Sequence, residues 1–495
     1  MTLTMAGAVR VKGSAPAGAR FVSLAVVLGA VVLGPLVIRQ PVVAGVLVLT
    51  ALLTVAAFVH RPAAGYVVVG VIPLIAGMHR GSALPLVRPS EALLLLAGGA
   101  LLARRLLAAA SDKPSPAPMT TPHASILFLV VAGSLLPLLW LLARGRPFTE
   151  DDVLYGVQVA KFAAVYLIVR VSIQSDDEVR RCCLISMAVG AAIAVIGILQ
   201  ALNLLSVPSL LEAHFKPTDE AALDANRASS TLGHSFAMAD LLVFNLGLAG
   251  AWLARKRGRR SFLLTATALF AVGALASGKF SAALALVVAV AALGSVTGYT
   301  KRAALGLVPL VLLAALVLRP VIAARLQGFR SPEGLPDSWL GRLHNLETFV
   351  WPRLFSNFNW VLGVRPSAKV AEGGRPSSPF HYIESGYTWL LWVGGVPLLL
   401  AFVVFVYVNI RGTRRIAHAR SDATGDAAIA AHVALVVLGA VTWLDPHMTL
   451  RGSGDLLFAL LALAYTATGR TSRGERPRAG PAAGGELLPS GRRVV

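Results

Sequence analysis

"CCLISMAVGAAIAVIGILQALNLL", residues 182–205, contains no charged side chain. A bilayer core of roughly 30 Å needs about 20 apolar residues in helical form, so this stretch by itself reads as a membrane span. Runs of the same kind recur on both sides of it, near 21–38, 41–59, 63–78, 91–109, 125–143 and 155–173 before, and near 235–254, 261–277, 280–298, 303–322, 385–410, 426–444 and 453–469 after. Of the 495 residues, 56% are hydrophobic and 14% charged, and the mean hydropathy is +0.71. Such a chain is too apolar for a soluble domain of that length. The expected fold is therefore all-α, a polytopic transmembrane bundle of about 12 to 14 spans.

Charge gives the sidedness. With the N-terminus placed in the cytoplasm, the loops expected inside carry Arg104 and Arg105, Arg180 and Arg181, "RKRGRR" at 255–260, Lys301 and Arg302, and "RGTRR" at 411–415. That is the positive-inside pattern. It also accounts for the net charge of +21 as attraction to anionic headgroups and leaves no need for a nucleic-acid partner. The first run, behind Arg10, Lys12 and Arg20 and without a small-residue cleavage site, reads as an uncleaved span. Residues 1–20 and the Arg-, Gly- and Pro-rich tail 470–495 are expected to be cytoplasmic, the tail disordered, with the bundle occupying 21–469. Arginine outnumbers lysine 37 to 8, which, with the heavy use of Ala, Gly and Val, points to a GC-rich bacterial genome, so that the membrane expected is a bacterial cytoplasmic membrane. The adjacent Cys182 and Cys183 fit neither a disulfide framework nor a CxxC site.

The longest polar stretch is an outer loop at 323–384, and loops of that length in a compact bundle usually carry function. Within it "DSWLGRLHNLETFVWPRLF" places Trp339, Leu340, Leu343, Leu346, Val350 and Leu354 at helical spacing, opposite Arg342, Asn345 and Arg353. The spacing predicts an amphipathic helix at the interface, ended or kinked by Pro352.

Cations on the outer face are informative because topology does not require them there. Arg227 opens "NRASSTLGHSF", whose hydroxyls and His234 precede the span near 235. A helix N-terminus facing outward with an arginine beside it suits a phosphate. Lys279 sits in the tight turn of "ASGKFSAALAL", again at the start of an outside-to-inside span. Arg342 and Arg365 lie in the long loop, and "HYIESGYTWLLWVGG" puts His381 and Glu384 just ahead of the next span, a candidate base beside candidate cations. The plainer readings are an arginine snorkelling to lipid phosphate, a surface histidine and a helix-capping glutamate. Lys161, one turn beyond Gln158 in mid-span, must face the interior and find a polar partner.

The acidic runs "TEDD" at 149–152 and "SDDE" at 175–178 match a capping box better than a metal site. HExxH, paired CxxC, GxxxxGK[ST] and strand-linked GxGxxG patterns are all missing from the sequence, which argues against nucleotide-driven or nicotinamide chemistry. No metal and no cofactor is expected.

The ordered set "NRASSTLGHSF", "SGKFSAALAL", a long loop with "LGR" and "NWVLGV", then "YIESGYTWLLWVGGVPLL", over roughly 155–410, resembles the O-antigen ligase and O-antigen polymerase superfamily. The resemblance implies metal-independent transfer of a glycan from an undecaprenyl (polyprenyl) diphosphate carrier to a saccharide or lipid acceptor at the outer face of the cell membrane. It implies that Arg227, Lys279 and Arg342, with Arg365 and His234 as further substrate contacts, hold the diphosphate while Glu384 or His381 takes the proton. Lys279 stands where the family usually has arginine, which keeps the charge and loses the bidentate fork. "IESGY" is nearer to the polymerases, which favours chain polymerisation. The alternative is a transporter or flippase of lipid-linked saccharides, which would line a midplane path with ionisable residues.

Overall fold

The computed structural model describes residues 41–79, 87–108, 120–215, 227–326, 336–371 and 380–466. These form a helical bundle with one two-stranded ribbon. In chain order the principal helices are α1 (Pro41–Val59), α2 (Arg61–Gly70), α3 (Pro89–Ala108), α4 (Thr121–Ala143), α5 (Glu150–Ser172), α6 (Asp176–Ala201) and α7 (Ser235–Ala254). There follow α8 (Arg260–Ala276), α9 (Phe280–Thr297), α10 (Thr300–Val317), α11 (Asp337–Asn345), α12 (Gly386–Ala419), α13 (Ala423–Val441) and α14 (Ser453–Tyr465).

Eight of them, α4, α5, α6, α7, α9, α10, α12 and α13, are long and apolar enough to cross a membrane, and three shorter apolar helices accompany them, Val48–Val59, α8 and α14. The chain is thus a multi-pass membrane protein, with fewer full-length spans among the described residues than the apolar runs suggest. One reason is visible at 63–78. That run forms α2 and a separate short helix, Ile72–Ile75, because Pro73 cannot donate its share of the helical ladder. The expected span at 21–38 and both termini, 1–20 and 470–495, lie outside the described residues.

Burial sorts the helices. Within their apolar windows α7 is 94% buried and α13 83%, against 6% for α10. A helix apolar all round sits at the centre of a bundle. Any polar side chain on α7 is therefore committed to the interior, as Asn245 is, accepting a hydrogen bond from Ser186 at 2.7 Å. Leu305, Leu312 and Leu316 on α10 are exposed, which puts this helix at the edge of the described bundle.

Prolines set the irregularities. A π turn at Val131–Leu135 precedes Pro137, and another at Leu346–Val350 precedes Pro352. In α12 the helix breaks at Gly395 (φ 62°, ψ −155°), two residues ahead of Pro397. That break is a docking point. A Cβ on Gly395 would collide with the Val361 carbonyl, and Val364 N–H donates to the Trp392 carbonyl at 2.6 Å. "NWVLGV" and "WVGGVP" are thereby clamped together.

The 337–355 segment is helical, but its apolar face is not continuous. Leu346, Val350 and Leu354 are buried, whereas Trp339 and Leu343 remain exposed. The π turn inserts an extra residue and rotates α11 away from the register of the helix that follows, Trp351–Phe355. Arg342, expected on the outward polar face, instead reaches Asp445 in the bundle. Beyond it β1 (Lys369–Ala371) pairs antiparallel with β2 (Phe380–Tyr382), His381 opposite Val370.

Candidate functional site

Three turns meet where α7 begins. His234 is the N-cap of α7 and follows Gly233 at φ 67°. Glycine is needed there because Gly77 packs against it, with Gly77 N–H donating to the Thr231 carbonyl at 2.9 Å. Lys279 is the N-cap of α9 after the left-handed Gly278. The Phe280 ring, next in sequence, meets Trp339 of α11 edge-on at 6.3 Å, which brings α11 over this turn.

Phe236, in the first turn of α7, is the centre of the arrangement. Lys279 Nζ lies 4.2 Å from its ring centroid and the Arg342 guanidinium 5.9 Å. The His234 ring stacks on it at 5.4 Å, and the His447 ring meets it edge-on at 5.4 Å. Each cation over a desolvated ring contributes about 1–2 kcal/mol. Arg342 is also 3.2 Å from Asp445 and 3.5 Å from Glu384. His447 Nδ1 is 2.7 Å from Asp240, both almost wholly buried. Burial drives the Asp445 carboxyl above its ordinary range, against the pull of Arg342.

A cavity of about 280 Å³ opens beside this cluster. Its wall includes His234, Phe236, Glu384, Asp445 and three further cations, Arg88, Lys369 and Arg451. Tyr155, Tyr382 and Trp389 supply aromatic surface. A space with aromatic walls, clustered cations and carboxylates at one edge can hold an anionic group next to a polar, ring-shaped one.

The residues singled out from sequence distribute as follows. His234 and Glu384 line the cavity, and Lys279 and Arg342 stand behind it on Phe236. Arg227 precedes Ala228, whose N–H donates to the Ala276 carbonyl at 3.1 Å, so its backbone runs beside the turn that carries Lys279. His381 is stacked on Phe349 at 4.4 Å, while its neighbours Tyr382 and Ile383 face the cavity. Arg365 is engaged with Asp152, its Nε donating at 3.0 Å, and the fully buried Asp152 also takes Ser367 N–H at 3.2 Å. Beside it Lys369 pairs with Asp151 at 2.9 Å. The "TEDD" run therefore caps α5, Thr149 and Asp152 forming the box, and fastens the long loop at the same time. Ser175 and Glu178 form the corresponding box on α6. Lys161 is 3.5 Å from Asp455. Among the described residues no three His, Cys, Asp or Glu are grouped so as to hold a metal ion.

Asp445, His447, Arg88, Lys369, Arg451 and Phe236 are among the members that reading the sequence did not single out. A signal existed for the two arginines. They sit in short connections that the sidedness expected from charge places outside together with Arg227 and Lys279, where the same positive-inside argument applies. "WLDPHMTLR" at 443–451 is likewise an unusually polar turn between two apolar runs. Phe236 carried no signal, since a phenylalanine in an apolar helix is ordinary.

No family model matches this chain, and neither a curated protein nor a solved structure shows significant similarity to it.

Proposed function

We propose that this protein is a membrane glycosyltransferase that takes a glycan from a polyprenyl diphosphate and joins it to a saccharide or lipid acceptor at the outer face of a bacterial cytoplasmic membrane. The observation that carries this reading is the meeting of Lys279 and Arg342 on Phe236, a residue that lines a cavity together with Glu384. Lys279 and Arg342 hold the diphosphate, with Arg227 close by along the backbone, and each charge-assisted contact contributes about 1.5–3 kcal/mol. As the acceptor oxygen attacks the anomeric carbon, the bond from that carbon to the diphosphate breaks and the developing anion stays with the two cations. The proton of the attacking hydroxyl passes to Glu384. His381, turned onto Phe349, and Arg365, held by Asp152, serve the loop that covers the site.

The test is glycan assembly in cells that carry Arg227→Ala, Lys279→Ala or Glu384→Gln at normal membrane levels. Loss of polymer is expected, and unchanged polymer from all three refutes the assignment. A flippase reading draws support from one feature, the Lys161–Asp455 pair inside the bundle, a turn along α5 from the cavity residue Gln158. Purified protein given a polyprenyl-diphosphate oligosaccharide separates the two. A ladder or a single adduct means transfer; translocation without a new glycosidic bond means transport.

A further inference from the structure

One pair in the cluster is left without a role by the transfer reading. Asp240 is fixed on the central helix α7 and holds His447 through Nδ1 at 2.7 Å, the two side chains being 3% and 2% exposed. His447 N–H donates to the Asp445 carbonyl at 2.8 Å, closing the turn Asp445-Pro446-His447. That turn presents the Asp445 carboxylate to Arg342 at 3.2 Å. The same imidazole meets the edge of the Phe236 ring at 5.4 Å, and the face of that ring carries Lys279 and Arg342. A chain of contacts thus runs from α7 through His447 to both cations. Arg342, borne on a loop helix, depends on it most.

We propose that Asp240 and His447 are positioning residues for anion binding, which set the placing of Arg342 and Lys279 through the 445–447 turn and Phe236, with His447 acting as the charged partner of Asp240. The inference rests on the reading of this site as a diphosphate site. Among the described residues the charged groups that act on His447 are Asp240 from α7, Asp445 from its own turn and Arg342 from α11. Lys279 acts on Asp445, and His234 stacks on Phe236. From α14 comes Asp455, which is turned to Gly452 N–H and Lys161. Burial pulls the imidazole toward neutrality, and the Asp240 carboxylate outweighs it, so His447 keeps its proton above the ordinary histidine value of 6.5. The cation is fully present below that value and is lost as pH rises through the raised one.

The experiment is a pH series of binding by the purified full chain in detergent, with farnesyl diphospho-N-acetylglucosamine as probe because its phosphates carry no proton that titrates near neutrality. Wild-type affinity is expected to fall by about tenfold over the alkaline limb, the size of one weakened charge-assisted contact. His447→Asn keeps an N–H toward Asp240 but cannot become charged, and it should bind at the wild type's alkaline level throughout. Asp240→Asn should move the midpoint to lower pH. Lys279→Ala should weaken binding at every pH and leave the midpoint in place. A His447→Asn curve superimposed on that of the wild type, or a midpoint unmoved by Asp240→Asn, overturns the inference while leaving the diphosphate site standing. Lys279→Ala binding as the wild type does removes the site itself. A wild-type curve flat through the alkaline limb overturns the inference whether or not any variant folds.

Discussion

The two ends of the bundle use the same residue types to opposite effect. Where α7 ends, Asp426 is fully buried between Arg255 at 2.8 Å and Arg257 at 2.9 Å, and Arg255 also donates to the Ala417 carbonyl at 2.6 Å. Asp176 accepts from Ala423 and Thr424 N–H at the start of α13, and Glu178 combines the cap of α6 with an ion pair to Arg61 at 3.0 Å. These charges close on helix termini. Where α7 begins, Arg342 divides itself between Glu384 and Asp445, and Lys279 rests on the Phe236 ring, and it is their partners Glu384, Asp445 and Phe236 that line a cavity. Charges that satisfy caps make a scaffold. Charges gathered round a space make a site.

The strongest way to break that contrast is at the closed end. Asp426→Ala strands two arginines that are mostly buried, and the expected loss is about 3–5 kcal/mol of stability, read as a lowered unfolding midpoint by tryptophan fluorescence in detergent. Product formed per folded molecule should not change; a selective loss of activity would mean that the ends are not functionally distinct. At the cavity end the balance reverses. Lys279→Ala should weaken diphosphate-lipid binding by about 1.5–3 kcal/mol, measured by titration calorimetry, with stability, read from the unfolding midpoint, lowered by no more than about 1–2 kcal/mol for its contact with Phe236 and so by less than in Asp426→Ala.

The long loop lies between these cases, since Arg365 and Asp152 form a scaffold contact beside the site. Arg365→Ala should cost about 1–2 kcal/mol locally, seen as faster amide exchange over Ser367–Ala371 while the exchange of α13 stays as it was. The smallest effect concerns Asp445. Its carboxyl holds a proton above the ordinary 3.8, so the native state binds more protons than the unfolded chain just above that pH. Stability should therefore decline as pH rises from 3.8 through the native value, and Asp445→Asn should lack the decline when unfolding midpoints are compared across pH.

Particular residues show how far the sequence could be read. Thr149 with Asp152 and Ser175 with Glu178 were legible as caps because a capping box is complete within four residues. Lys161 was legible as a buried cation in need of a partner, but nothing local named Asp455, which lies far along the chain on α14. Glu384 could be picked as a candidate base just ahead of a span, and Lys279 and Arg342 by sidedness of charge. That same rule, applied to 80–90 and 443–451, would have added Arg88 and Arg451. The amphipathic face drawn across 339–354 misled, because one π turn ahead of Pro352 rotates the segment and swings Arg342 inward.

The sequence by itself determined that this chain is a set of apolar helices, where most of them start and stop, and on which connections its unexpected cations fall. Length, hydropathy and capping are properties of contiguous residues, so they survive without knowledge of the fold. Only the tertiary structure decided that Phe236, Lys279, Arg342, Asp445 and His447 share one place. Their meeting depends on which helices adjoin in the bundle, with α7 enclosed by its neighbours, and that choice is made by packing between segments distant in the chain.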